Sequence, residues 1–408
     1  MKKRLNFIIS LLLILSICVG TLSFDAFSFE NNVETSSNEI MLINADTSTV
    51  VFSRNATKKW YCSYLSTLMT FVVAAQNSKD YDKTKVNITA DLLERIPSSD
   101  GKLKQFEGKT LTIRDLMVLM FMTTGNDAAY VLADFVSHSD IDAFVRTMNQ
   151  KASELGMKDT KYFSPAFDEE MKSLTTCADL YKLYRYALDI ELFKEVSSYS
   201  SYIPKGYAEK EALDTEVSIK SSSSPYYFKY TDTAKYSYDK KSGAGMLATT
   251  VYRGSTYIFI AMHGMKEAER NVYVDCKQLT TWAYLNLSDK KIVGAEDVDV
   301  EVSVESPWRK DSVSLTVGGS SYRTMPNEYD VNKFMVEYDV PDSVKLPVFE
   351  GQSIGTAKII YDSQRLDEIS LTSTDTKGVE MLSDIREFLN SAYRSVLSVE
   401  PEEEPVSE

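Results

Sequence analysis

The sequence is short of the residue on which many hydrolase sites depend. It has only two histidines, His138 and His263, in 408 residues. A Ser-His-Asp triad needs a histidine that a carboxylate holds in place, and no local pattern around either residue indicates one. The sequence therefore gives no support for a triad of this kind.

Cysteine is equally scarce. After the first segment of the chain only Cys62, Cys177 and Cys276 remain, an odd number with no close pair. This spacing excludes a disulfide framework and does not match a metal-binding pattern. We expect three small buried side chains and predict neither a metal nor a cofactor.

Excess positive charge and long apolar runs are also missing. The formal net charge is −14, so the chain repels nucleic acid and anionic lipid. Residues 1–28 combine three basic residues, an apolar run too short to span a bilayer and a small-residue zone, which is typical of a secretory signal peptide. No later run reaches ~18 apolar residues. We therefore expect a secreted, extracytoplasmic protein at the cell surface or in the cell wall.

The length predicts two domains with tails. Helical and strand patterns fill residues 39–287. From 298–305 the sequence VDVEVSVE alternates strictly, as a half-buried strand does, and predicts a separate all-β domain at 289–376. The remainder, 377–408, reads as an amphipathic helix followed by an acidic tail. Because that helix carries acidic residues, membrane contact is expected to be at most peripheral, through 381–397.

Several local patterns predict individual elements. Thr112 and Asp115 form a capping pair before an apolar helix, and two apolar strands meet at Arg253-Gly254. Residues 197–240 are rich in Ser, Tyr and Lys with little periodicity. We expect loops and short strands there.

Four segments carry a resemblance to a known family. They are TTGNDAAYVLADF (123–135), ELGMKDTKYFSP (154–165), LTTCADL (174–180) and LPVFEGQSIGTAKI (346–359). In order and spacing the chain resembles the D-alanyl-D-alanine carboxypeptidases, penicillin-binding serine peptidases that trim peptidoglycan stem peptides. The resemblance implies an α+β fold: a β-lactamase/transpeptidase-like antiparallel sheet flanked by helices, followed by a small all-β sandwich.

The family's nucleophile and base form a Ser-x-x-Lys motif at a helix start, one turn apart on one face. Lys59–Tyr61 match the residues before the motif, and Met69–Thr70 match those after it. The resemblance then puts the nucleophile position at Tyr64 and the base position at Thr67. Both reacting groups are absent.

Ser63 and Ser66 are the outside candidates for a substitute pair. They keep the three-residue spacing but are rotated by ~100° around the helix. A second serine cannot accept a proton as an amine does, so Ser63 has no base.

The second family motif survives as Thr124 and Asn126, which retain a hydroxyl and an amide for hydrogen bonding to a ligand. An alternative is that Asn126 caps the helix that follows it.

The third motif, Lys-Thr-Gly in the family, lies on an edge strand where the substrate peptide adds as a further strand. It is matched by Lys241, Ser242 and Gly243, although an Ala-Gly pair follows sooner than the family usually has it. By the resemblance these residues bind the substrate carboxylate. An ordinary exposed lysine is the alternative for Lys241.

These observations favour a non-catalytic relative that binds peptidoglycan stem peptide or a cell-wall enzyme. The alternatives are an active serine-type D-Ala-D-Ala carboxypeptidase with a non-standard nucleophile, and a structural or adhesin-like surface protein.

Overall fold

The computed structural model describes most of the chain. The described residues are 29, 32–96, 102–123, 125–168, 170, 172–209, 212–264, 271–305, 311–318, 320–378, 389–390 and 393. The predicted signal peptide at 1–28 and nearly all of the predicted amphipathic segment 381–397 and acidic tail lie outside them.

The chain divides into two compact units. The first contains the described residues up to Ser288 and also Thr324–Asn327. The second contains those in Asp289–Arg323 and from Glu328 onward.

A five-stranded antiparallel sheet forms the centre of the first unit. Its strands are β1 Glu39–Asn44, β2 Thr49–Arg54, β3 Thr231–Asp239, β4 Gly243–Tyr252 and β5 Ser255–Gly264. The strand order is β2-β1-β5-β4-β3, so β3 is an edge strand. The central strands are buried along most of their length, because helices cover the sheet. The sequences of these strands are accordingly nearly continuous apolar runs.

The predicted junction at Arg253-Gly254 is a two-residue hairpin. Tyr252 pairs with Ser255, and both turn residues have positive φ, 50° and 86°. This is the conformation that favours glycine and matches the twist of antiparallel strands.

The first unit has seven helices of eight or more residues among the described residues. They are α1 Thr67–Asn77, α2 Ile113–Met122, α3 Asn126–Val136, α4 Ile141–Glu154, α5 Cys177–Leu188, α6 Glu191–Ser198 and α7 Asn271–Asn286. Short paired strands occur at Trp60–Tyr61 with Leu174–Thr175, Lys85–Asn87 with Thr110–Thr112, and Ser201–Tyr202 with Leu213–Asp214.

Two helices form the interior of this unit, as the sequence predicts. In α1 every residue from Thr67 to Ala75 is buried. In α2 the reciprocal capping box between Thr112 and Asp115 is present, and the apolar residues behind it are buried on all sides.

The expectation for 197–240 is wrong in one respect. The last part of this segment is β3, a nine-residue strand. Its buried positions include the polar residues Thr233, Lys235 and Ser237, so no apolar alternation marks it as a strand.

The second unit is rich in β-structure. A six-stranded sheet contains Val300–Glu305, Ser312–Val317, Phe334–Asp339, Ser343–Lys345, Ser353–Tyr361 and Gln364–Ser373. Two further strands, Leu287–Val293 and Ser321–Pro326, include residues at which the chain passes between units. Val302, Val304, Val313 and Leu315 lie in its apolar core. The predicted α+β fold class, with an antiparallel sheet flanked by helices and a β-rich C-terminal part, is confirmed.

The three cysteines are free and buried, as expected from their spacing. No helix in the described part of the chain has the length and apolar character needed to cross a membrane.

Lys220 is a buried lysine whose ammonium donates a hydrogen bond to the Ser197 carbonyl at 2.6 Å. Burial lowers its pKa from 10.5 to about 8, although Asp232 opposes the shift. Between these two pH values the unfolded chain holds a proton that the folded protein has released. The contribution of this group to stability therefore rises with pH in that window.

We predict that Lys220→Met removes this rise. From pH 7.5 to 9.5 the free energy of unfolding of the wild type should gain about 1–2 kcal/mol relative to the variant. Urea unfolding of both proteins at several pH values measures the difference between their free energies of unfolding. The other titrating groups are the same in both proteins, so their contributions cancel in this difference. Parallel stability curves for the two proteins would contradict it.

Candidate active site

The start of α1 holds the predicted catalytic positions. A turn of 3₁₀-helix, Ser63–Ser66, precedes α1. The Thr67 hydroxyl donates to the Tyr64 carbonyl at 2.8 Å, and the Ser66 hydroxyl donates to the Ser63 carbonyl at 2.8 Å. Thr67 and Ser66 are fully buried, so both hydroxyls serve the local backbone.

Tyr64 is half-buried, and its ring packs against the ring of Phe167. The ring centroids of Tyr64 and Phe167 are 4.8 Å apart. The neighbouring Cys62 offers no substitute nucleophile, because complete burial raises the pKa of its thiol and keeps it neutral.

Asn126 anchors a loop. Its amide nitrogen donates to the Phe167 carbonyl, and its amide oxygen accepts from the Phe167 N–H, both at 2.8 Å. The capping alternative is wrong, since the N-cap of α3 is Gly125 and no side chain caps the helix. Gly125 has φ 75°, and an added Cβ would lie 2.5 Å from the Met120 carbonyl oxygen, so only glycine fits. Thr124 lies outside the described residues.

Lys241 and Ser242 lie in the turn that joins β3 to β4. The edge-strand position expected for this motif is therefore wrong. Asp239 organises the turn: its carboxylate accepts the N–H groups of Lys241 and Ser242 at 2.8 and 3.0 Å, and also the Ser242 hydroxyl. Gly243 begins β4 with φ 76°, and an added Cβ would lie 2.3 Å from the Gly264 carbonyl oxygen.

The edge strand itself carries a lysine that the sequence analysis missed. Lys235 is 1% exposed, and its ammonium donates to the carbonyls of Met120 at 2.5 Å and Thr123 at 2.9 Å. These carbonyls belong to the C-terminal end of α2, where a helix leaves acceptors without partners. A cation at this position is also favoured by the helix dipole.

Ser237 lies on the same face of β3 as Lys235, because side chains alternate along a strand. Its hydroxyl oxygen accepts the Tyr64 backbone N–H at 3.2 Å. Tyr236, on the opposite face, stacks on Tyr273 of α7 with ring centroids 4.9 Å apart. The sequence does contain one signal for Lys235. The family usually has several residues between its lysine motif and the Ala-Gly pair, and Ala244-Gly245 follows too soon after Lys241 but not after Lys235.

A small cavity of about 30 Å³ lies beside these residues. Its wall includes Ser63, Phe167, Lys172, Asp239, Lys241 and Ser242. The structure thus brings Ser63, Lys241 and Ser242 to one cavity, whereas Tyr64, Ser66, Thr67 and Asn126 do not line it.

His263 has a carboxylate partner that no local sequence pattern indicates. Its Nδ1 is 3.2 Å from Oε2 of the buried Glu39, and its ring stacks on Trp60 with centroids 3.7 Å apart. The Trp60 indole N–H donates to the Ser242 carbonyl at 2.9 Å. No serine hydroxyl in the described part of the chain bonds to His263, so these residues do not make a triad. Within the same residues, no group of three His, Cys, Asp or Glu side chains is placed to hold a metal ion.

We predict that Lys235→Met lowers the free energy of unfolding by about 1–3 kcal/mol, because two buried carbonyls lose their donor. Lys240→Met is the matched control, since Lys240 is exposed just beyond the same strand and its replacement should change stability by less than ~0.5 kcal/mol. Urea unfolding of the three proteins measures both effects. Equal midpoints for Lys235→Met and the wild type would show that these bonds contribute nothing.

Comparison with known proteins places this geometry in a family. The D-alanyl-D-alanine carboxypeptidase family matches residues 26–266. The Bacillus subtilis D-alanyl-D-alanine carboxypeptidase DacF is 23% identical over 364 residues, which cover 87% of this chain and 91% of that protein.

Solved structures with low sequence identity share the fold. Penicillin binding protein 5 from Haemophilus influenzae has a TM-score of 0.68 at 18% identity, covering 85% of this chain and 99% of that one. The carboxypeptidase DacD from Francisella tularensis has a TM-score of 0.65 at 17% identity, covering 88% and 99%. The resemblance seen in the sequence is confirmed, and the chain belongs to the D-alanyl-D-alanine carboxypeptidase family.

Proposed function

We propose that this protein is an exported, catalytically inactive member of its family that binds peptidoglycan stem peptide, or an enzyme of the cell wall, through the remaining cleft. The observation that carries the proposal is the start of α1. Tyr64 and Thr67 occupy the nucleophile and base positions, and the Thr67 hydroxyl is buried and bonded to the backbone. A serine-type acyl transfer needs a nucleophile with an adjacent base, and neither is present there.

Lys235 does not replace the missing base. Its Nζ donates to the Met120 and Thr123 carbonyl oxygens at the C-terminal end of α2, and we propose that this structural role, not proton transfer, is its function. We assign Lys235, Tyr236 and Ser237 to the position of the family's lysine motif, because they lie on the edge strand and Ser237 contacts the start of α1.

The oxyanion site also supports inactivity. In serine hydrolases the nucleophile's own backbone N–H is one of the donors that hold the oxyanion. At Tyr64 that N–H is already bonded to the Ser237 hydroxyl. A side chain of the protein thus occupies the acceptor position that a tetrahedral intermediate needs.

Export and architecture complete the proposal. Residues 1–28 would be removed as a signal peptide, 39–287 form the carboxypeptidase-like domain and 289–376 the C-terminal β-domain. For the segment 377–408 the proposal has two alternatives. The helix at 381–397, whose membrane contact is at most peripheral, packs on protein, or the protein is released from the cell surface. N-terminal sequencing of protein secreted by the native host tests the processing, and an intact Met1 would refute it.

We predict no covalent penicillin adduct and no release of D-alanine from a pentapeptide above the buffer rate. Intact-mass analysis after incubation with penicillin and a D-alanine assay measure the two outcomes. An active family member such as DacF serves as the positive control. A stoichiometric adduct on the unmodified protein would overturn the proposal.

The second candidate function, a slow carboxypeptidase with Ser63 as its nucleophile, rests on one observation. The Ser63 hydroxyl is buried without a hydrogen-bond partner and Ser63 lines the cavity beside Lys172 and Lys241, whereas the Ser66 hydroxyl is bonded to the backbone. If an adduct forms, Ser63→Ala should abolish it and Ser66→Ala should leave it unchanged.

A reconstruction series tests the inactivity argument step by step. The variant Tyr64→Ser with Thr67→Lys should acylate only weakly, because Ser237 still occupies the backbone N–H. Adding Ser237→Ala frees that donor and should accelerate penicillin acylation by about 10²-fold, the effect of one oxyanion donor.

The single variant Ser237→Ala is the matched control and should remain unlabelled, because it has no nucleophile. Equal rates for the double and triple variants would show that the bond from Tyr64 to Ser237 does not limit oxyanion binding.

A further inference from the structure

The cavity beside the start of α1 has hydrogen-bond donors that the protein does not use. Ser63 is 8% exposed, and its hydroxyl has no hydrogen-bond partner in the described part of the chain. A buried hydroxyl without a partner costs free energy. Ser63 also has φ 47°, unusual for a residue other than glycine.

Two lysines line the same cavity. The Lys172 ammonium lies 5.8 Å from the centre of the Tyr61 ring, which is also part of the wall. Among the residues that the structure describes, neither Lys172 nor Lys241 forms an ion pair through its ammonium. Both residues are exposed, so their ammonium groups are open to solvent and to a ligand at the mouth of the cavity.

The two carboxylates at the cavity are already engaged as acceptors. Asp239 accepts the N–H groups of Lys241 and Ser242 and the Ser242 hydroxyl. Asp168 accepts the Glu170 N–H at 2.8 Å. The acidic oxygens therefore serve the backbone and side chains of their own loops, while a hydroxyl and two ammonium groups remain as donors.

A site with spare donors fits a ligand group that only accepts hydrogen bonds. The volume of about 30 Å³ holds roughly two water molecules, which is close to the size of a carboxylate group and small for a phosphate. We propose that the cavity is a carboxylate-binding subsite, in which the Ser63 hydroxyl donates to the bound carboxylate and Lys172 and Lys241 flank it.

The position of the cavity indicates which carboxylate it takes. Asp239 ends the edge strand β3, two residues beyond Ser237. A peptide that pairs with β3 as a further strand advances ~3.3 Å per residue. The peptide residue about two positions from the one opposite Ser237 therefore lies near Asp239, and an acidic side chain there reaches the cavity. The ligand is then a peptide with an acidic residue before its terminal D-alanyl-D-alanine. This inference rests on the proposed peptide-binding function.

The experiment compares two pentapeptides that end in D-alanyl-D-alanine and differ only at the third residue, which carries either a free carboxylate or a carboxamide. Isothermal titration on the full chain should show that the acidic peptide binds about tenfold more tightly. This preference should disappear in Lys172→Met/Lys241→Met and shrink in Ser63→Ala. Lys240→Met, an exposed lysine of the same turn, should retain it.

A second measurement separates the subsite from the proposed function. At equal ionic strength, N-acetylglutamate should raise the thermal midpoint of the wild type and the α-amide of N-acetylglutamine, which has no carboxylate, should not, because only a ligand bound to the folded state stabilises it. The shift should be absent in Lys172→Met/Lys241→Met.

The outcomes are distinguishable. Equal binding of both peptides overturns the subsite and leaves the proposed function standing. If neither peptide binds but N-acetylglutamate still shifts the midpoint, the subsite stands and the peptide-binding function fails. If neither peptide binds and the midpoint does not move, the cavity holds water only and the subsite is overturned.

Discussion

The contact of one strand face with two helix ends determines the geometry of this site. Lys235 and Ser237 alternate onto the same face of the edge strand. Lys235 satisfies the last carbonyls of the α2 region, while Ser237 accepts the backbone N–H at the start of α1. Because both helices are buried, the carbonyl oxygens at Met120 and Thr123 would be costly to leave without donors. The strand that borders the cleft is therefore fixed by polar contacts.

Elements whose packing is apolar were predictable from the sequence. The strand pair around Arg253-Gly254, the buried helix after Thr112 and the alternating strand at 298–305 each carry a periodic pattern and a turn or cap signal. These features depend on local chemistry, so one sequence suffices to place them. The family resemblance added the order of the elements and located Tyr64 and Thr67 at the start of a buried helix.

The edge strand escaped prediction because its buried face is polar. Thr233, Lys235 and Ser237 fill positions that a hydrophobicity pattern assigns to solvent. Their partners lie far away in the sequence, 49 residues for Thr233 and more than a hundred for Lys235 and Ser237, so no local spacing reveals them. The Lys-Ser-Gly triplet at 241–243 matches the family motif more closely than Lys235–Ser237 does. However, Lys241 and Ser242 lie in a turn that the Asp239 carboxylate stabilises. Likewise, the carboxylate beside His263 comes from Glu39, which lies on the adjacent strand β1 but is 224 residues away in the sequence.

A working hydrolase keeps donors free and aimed at the substrate, which costs stability until the substrate binds. Here three groups at the family's motif positions are bonded within the protein. The Asn126 amide is hydrogen-bonded to the Phe167 backbone. The Tyr64 N–H donates to the Ser237 hydroxyl, and the Thr67 hydroxyl donates to the Tyr64 carbonyl. Each bond stabilises the fold at the position where a catalyst would hold a reacting atom.

The donors of the proposed subsite, those of Ser63, Lys172 and Lys241, line the cavity beside the start of α1. A site arranged in this way can still recognise an acidic group on a peptide, since binding needs only complementary donors. Cleavage would also need an amine beside the nucleophile and an open oxyanion donor, and in the proposed function both are missing. In the proposed function, recognition and reaction depend on different residues, so a chain with Tyr64 and Thr67 at the Ser-x-x-Lys positions can still bind a peptide.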